Sequence, residues 1–104
     1  MAYSTLGQAY PSAATATLLY TSAGETVVSS IVVCNQSAVA TSFRVSIRVA
    51  GEADATKQYL YYDLPINGND TFIATIGMTL NAGDLVYVYA TLGTLSFNLF
   101  GSTI

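Results

Sequence analysis

The chain has 104 residues, 52% of them hydrophobic and only 9% charged, with a formal net charge of −3. Soluble domains average about 25% charged residues, so part of this exterior is expected to be covered by copies of itself or by partners rather than kept wet by ions. Three cations (Arg44, Arg48 and Lys57) cannot neutralise a phosphate backbone, which excludes nucleic acid as a partner, and a hydrophobic, weakly charged composition excludes disorder.

One domain is expected at this length. Residues 1–14, rich in small side chains and holding Pro11, read as an N-terminal arm, with the folded domain over 15–104. The arm lacks the positive start and continuous apolar stretch of a secretory leader. Ala16 to Thr21 reads as a weak strand with Leu18 and Tyr20 toward the core. Val27 to Asn35 is apolar on both faces, the pattern of a central strand covered on both sides. Its purely apolar run Ile31 to Cys34 falls far short of the roughly 20 residues of a membrane span, so no membrane partner is expected.

Thr41 to Val49 alternates with period two: Phe43, Val45, Ile47 and Val49 on one face, Ser42, Arg44, Ser46 and Arg48 on the other. Lys57 to Leu64 and Leu85 to Thr91 are tyrosine-bearing strands. From Asp70 to Leu80 the inward set is Phe72, Ala74, Ile76 and Met78, with Ile73 out of pattern on the other side. Thr94 to Phe100 buries Leu95, Phe97 and Leu99. Gly- and Asn-bearing turns separate these segments. The prediction is an all-β, single-domain antiparallel β-sandwich of seven to eight strands, jelly-roll or Ig-like, with no helix.

Chemistry finds little to work with. The chain has no histidine, which removes the commonest general base and the Ser/His and Cys/His arrangements. Six acids scattered over loops give no evidence of a carboxylate pair flanking a bond. Phosphate-cradling motifs are absent. Asp63, Asp70 and Asp84, with the neighbouring asparagines, match no spaced calcium loop and read as turn residues. Cys34, the single cysteine, reads as a small hydrophobe within a strand. Neither an enzyme nor a cofactor is expected.

The tyrosines carry more. Alternation sets Leu60, Tyr62 and Leu64 together and places Tyr59 and Tyr61 on the opposite face. Tyr87 and Tyr89 oppose Val86, Val88 and Ala90 in the same way. The four rings Tyr59, Tyr61, Tyr87 and Tyr89 have three readings: cover for the sheet, a protein interface, or a carbohydrate platform, which the absence of Trp weakens. Arg44 and Arg48 are either solvated strand charges or partners for acids on a neighbouring subunit. With Leu6 and Tyr10 of the arm, these residues form the candidate interface.

The ordered series Leu6-Gly7-Gln8-Ala9-Tyr10-Pro11, Leu19-Tyr20-Thr21, Val27 to Asn35, Phe43-Arg44-Val45, Tyr59 to Asp63, Asn81-Ala82-Gly83-Asp84 and Ser96 to Gly101 resembles a group of small tailed-bacteriophage virion proteins, associated with tail, neck or fibre. The resemblance covers most of the chain and implies a β-sandwich structural block, an oligomeric adaptor or fibre-linked subunit, with capsid decoration or glycan attachment as alternatives. It implies no catalytic residues. The partners it implies are other virion proteins and copies of this chain, with a trimer as the expected state. The implied location is the virion, assembled in the bacterial host cytoplasm.

Overall fold

The β-branched and aromatic residues that dominate the chain favour pleated, half-buried backbone, and they build nine strands in a computed structural model that describes residues 2–103. These are β1 (Ala2–Ala9), β2 (Thr17–Thr21), β3 (Thr26–Asn35), β4 (Thr41–Arg48), β5 (Tyr59–Ile66), β6 (Thr71–Ala74), β7 (Met78–Leu80), β8 (Leu85–Ala90) and β9 (Leu95–Thr103). Single 3-10 turns at Val49–Gly51 and Thr56–Gln58 interrupt the β4–β5 connection.

All pairings are antiparallel, in two sheets ordered β1-β9-β3-β6 and β2-β8-β4-β5, with β7 also on β3. Since β6 and β7 lie along the same strand, they act as one interrupted strand. First then pairs with last throughout: β1 with β9, β2 with β8, β3 with β6 and β7, β4 with β5. This nested hairpin, rolled into two layers, is a jelly roll. The expected sandwich is therefore present, in the jelly-roll form.

Between the layers, Phe43 of the second sheet is fully buried and meets Phe97 at 6.1 Å and Phe72 at 5.4 Å between ring centroids, both from the first sheet. Val28, Ile31, Val33, Val45, Val86, Val88, Leu95 and Leu99 are buried in the same core. The alternations predicted for β4, β8 and β9 match the inward placement of Phe43, Val45, Val86, Val88, Leu95, Phe97 and Leu99. The inward set Phe72, Ala74, Ile76 and Met78 also holds, although Thr75 to Gly77 leaves the ladder and splits one expected strand into two.

Several expectations need correction. The expected arm supplies β1, which runs along β9 from Ala2 opposite Thr103 to Ala9 opposite Phe97. Its backbone pairs with β9 although its side chains form no apolar stripe, and Leu6 and Ala9 pack against the core. Gly7 makes this possible, because a Cβ there would run into the carbonyl oxygen of Leu19. Leu18 is exposed and Leu19 takes its place in the core, since a bulge shifts the β2–β8 register between Leu18 and Tyr20. Val49 leaves the strand for a 3-10 turn and is 56% exposed.

Buried polar side chains tie the loops at both ends. Asn35 is 1% exposed. Its Nδ2 donates to the carbonyls of Val39 (2.9 Å) and Asn67 (3.1 Å), and its Oδ1 accepts from Ser37 N and Thr94 Oγ1, both at 3.1 Å. One amide thus pins the β3–β4, β5–β6 and β8–β9 loops. At the opposite end the Asp84 carboxylate accepts from Ala50 N (3.0 Å) and Asn81 N (2.9 Å). Asn35→Ala leaves four polar groups without their partner and is expected to lower unfolding stability by about 2–3 kcal/mol. Ser29→Ala, which removes one exposed bond to Phe100 O, is expected to change it by less than about 0.5 kcal/mol. Urea titrations at unchanged slope check both; equal midpoints for the two variants would contradict the account.

Candidate interaction surface: the tyrosine and arginine face

Because Phe43 and Val45 point inward, β4 turns Arg44, Ser46 and Arg48 to the outer face of the second sheet. Val86, Val88 and Ala90 do the same for Tyr87 and Tyr89 on β8. Cross-strand pairing then sets Arg44 opposite Tyr89 and Ser46 opposite Tyr87. The guanidinium carbon of Arg44 lies 4.3 Å from the Tyr89 ring centroid and 4.2 Å from that of Tyr62, so the cation is held between two rings. Arg48 covers Tyr87 at 3.7 Å.

Arg44 also donates from Nε to Asp63 Oδ1 (2.7 Å) and from Nη2 to Oδ2 (3.3 Å), a bidentate carboxylate contact. This bond pushes the Arg44 pKa above its usual value against the opposing effect of burial. Arg48, four residues along the same strand, has no ion-pair partner among the described residues. Its Nε is sealed from solvent without an acceptor.

Five of the predicted interface residues therefore come together: Arg44, Arg48, Tyr59, Tyr87 and Tyr89 line one shallow crevice with Ala16 and Ser46. Tyr61 does not join them. It turns inward against Phe72 (5.3 Å) and Phe43 (6.3 Å), and Tyr62 takes the outer position. The cause is a pair of register shifts between β4 and β5 on either side of Val45, with Asp63 at φ +53°. Counting by twos fails across such bulges, so the sequence pointed to the wrong ring; no local signal marks the bulge beyond an Asp, a residue tolerant of positive φ.

Leu6 and Tyr10 lie elsewhere. Leu6 packs on the core from β1. Tyr10, 56% exposed, follows β1 beside Gln8, Gln36 and Asn98 on the first sheet's side. That sheet presents a different outer surface. None of its five strands contains a charged residue. Register places Gln8, Asn98, Val32 and Ile73 in one row across it, with Thr5, Phe100 and Ser30 in another. Gln8 and Asn98 are joined at 2.7 Å, and Ile73 is 64% exposed.

Among the described residues no three His, Cys, Asp or Glu side chains cluster as a metal site. Compared with protein-family models, curated proteins and solved structures, the chain matches none.

Tyr59 sits at the rim of the face, edge-on to Tyr62 (5.0 Å), and donates its hydroxyl to Asp54 Oδ1 at 2.9 Å. Partial burial, and then the Asp54 carboxylate, raise its pKa above the ordinary 10.0. The protonated phenol is favoured in the folded state, so its contribution is complete below pH 10.0 and is lost as pH rises through the raised value. In an ultraviolet phenolate titration Tyr59→Phe is expected to remove a late-titrating tyrosine, and Asp54→Asn to shift that step toward lower pH. A titration whose last step survives Tyr59→Phe unchanged would contradict this.

Proposed function

We propose that this chain is a non-enzymatic structural subunit that assembles with copies of itself and with other proteins, in the setting its motifs resemble: a tailed-phage virion, at the tail or neck. One observation carries the reading. An entire sheet, exposed on its outer face, contains no ion, and its β1 edge strand has neither a charge nor a proline across Ala2–Ala9. Free monomers protect flat edges and faces with such residues. A surface without them suits permanent cover by neighbours, where charge is depleted at the contact centre.

The opposite face supports docking to protein rather than stacking on sugar. One side of each of the Tyr62, Tyr87 and Tyr89 rings is already occupied by a guanidinium, and ring faces are what a pyranose would need. Tyr and Arg are the residue types enriched at protein contacts. Jelly rolls serve both capsids and lectins, so the architecture alone selects neither.

Light scattering and sedimentation across a concentration series test the reading. The wild-type chain is expected to self-associate, and Val32→Lys with Ile73→Lys, which place charge in the centre of the ion-free row, are expected to yield monomers with an unchanged thermal midpoint within a few degrees. A wild-type protein that stays monomeric at every concentration, and is missing from purified particles by mass spectrometry, would sink the proposal. Copy number in the particle separates the locations: hundreds indicate capsid decoration, a few to some dozens the tail or neck.

A further inference from the structure

The two arginines of β4 provide an internal comparison. Both stand on the same face of one strand, and each lies over a tyrosine of β8. The Arg44 site is complete: rings on two sides and a carboxylate, Asp63, engaged through two nitrogens. The Arg48 site has the ring, at the shorter distance of 3.7 Å, and no carboxylate. The nearest acid along the paired strand is Asp84, next to the Leu85 that faces Arg48, and its two oxygens are engaged by Ala50 N and Asn81 N. Asp54, at the face's rim, accepts from Tyr59.

We infer that Arg48 is an anchor for a carboxylate supplied by a partner protein, an Asp or Glu side chain that lands on this face and completes the arrangement Arg44 already has. The inference rests on the docking role proposed above and names its chemistry. Nε of Arg48 is sealed, so the incoming carboxylate is met end-on, by the two terminal nitrogens. Stacking on Tyr87 fixes the plane of the fork in advance, so little side-chain freedom is lost when it engages. Lysine would offer the charge but neither the plane nor the pair of donors. A carboxylate suits this site better than a phosphate, because one guanidinium supplies a single positive charge and the face offers no second free cation among the described residues: Arg44 is taken by Asp63, and Lys57 by Glu52 at 3.5 Å.

The chain holds only two arginines, so the nitrogen-15 spectrum of the full-length protein has two Nε–H signals, one for each site. A short oligoglutamate peptide is titrated at constant ionic strength, with oligoglutamine and glucuronate as parallel arms. The expected result is a saturable shift of the Arg48 signal with oligoglutamate, an unmoved Arg44 signal, and no response to oligoglutamine. Arg48→Gln is expected to weaken oligoglutamate binding, read on the Tyr87 amide, by about tenfold, and Arg48→Lys to restore it only in part. The amide signals of β4 and β8 report whether each variant keeps its fold. Arg48 unmoved, both arginines drifting together without saturation, or a response to glucuronate alone would overturn the inference. A protein that never assembles yet binds oligoglutamate through Arg48 would refute the subunit reading and leave this site standing.

Discussion

The contact that holds this molecule together is the one Phe43 makes across the sandwich. Its ring comes from the middle strands of the second sheet and meets Phe97 and Phe72 of the first, with Tyr61 closing the group from β5. Tilted and edge-on aromatic pairs at these separations add about 0.5–1.5 kcal/mol each beyond the area they bury. More important is where they act. Two sheets pack about 10 Å apart, and a ring spanning that gap fixes which residues of each strand face inward. Once Phe43 and Phe97 are inside, Arg44 and Asn98, one residue further on in each strand, are committed to opposite outer faces.

Those two outer faces differ in kind because the chain divides its few ions so unevenly. All strand charges fall on β4 and β5, and none on the other sheet. On the charged side the arginines lie over tyrosines rather than extending into water, so their stems and planes cover the sheet. The bidentate pair with Asp63 is exposed enough, with side chains at 23% and 45%, that it contributes little to stability. Its effect is positional: it locks one guanidinium between two rings and fixes the shape of the face.

Legibility in the sequence followed the regularity of the backbone. Where a strand runs unbroken, as in β4, β8 and β9, alternation alone identifies Phe43, Val88 and Leu99 as interior and Arg44 and Tyr89 as exterior. Where a strand bulges, the same counting inverts the answer: Leu18 for Leu19 on β2, and Tyr61 for Tyr62 on β5. A bulge is chosen by what the partner strand and the opposite sheet demand, and neither is local information. β1 escaped notice for another reason. Its sequence, Ala-Tyr-Ser-Thr-Leu-Gly-Gln-Ala, has no apolar stripe, because its place depends on the β9 ladder and on Gly7 slipping past Leu19. Asn35 is likewise visible in the sequence only as the polar end of an apolar strand, although it is the polar hub of one end of the roll.

The hub at Asn35 and its counterpart at Asp84 bear on where neighbours can attach. End loops that are to bind a partner through hydrogen bonds need free donors and acceptors. Here the amide of Asn35 and the carboxylate of Asp84 engage loop groups internally. Backbone bonds from Asn69 N to Ser37 O, from Gln36 N to Thr94 O and from Gly83 N to Ser22 O use still more of that capacity. Loops so tied are costly to rearrange, because each opened bond leaves a half-buried polar group to be resolvated. Contact made without such rearrangement falls to the two strand faces, whose side chains are already fixed by the pleat. One presents a stacked cation, the other a broad surface with no charge. Under the proposed assembly role, the two faces would therefore call for contacts of different chemistry.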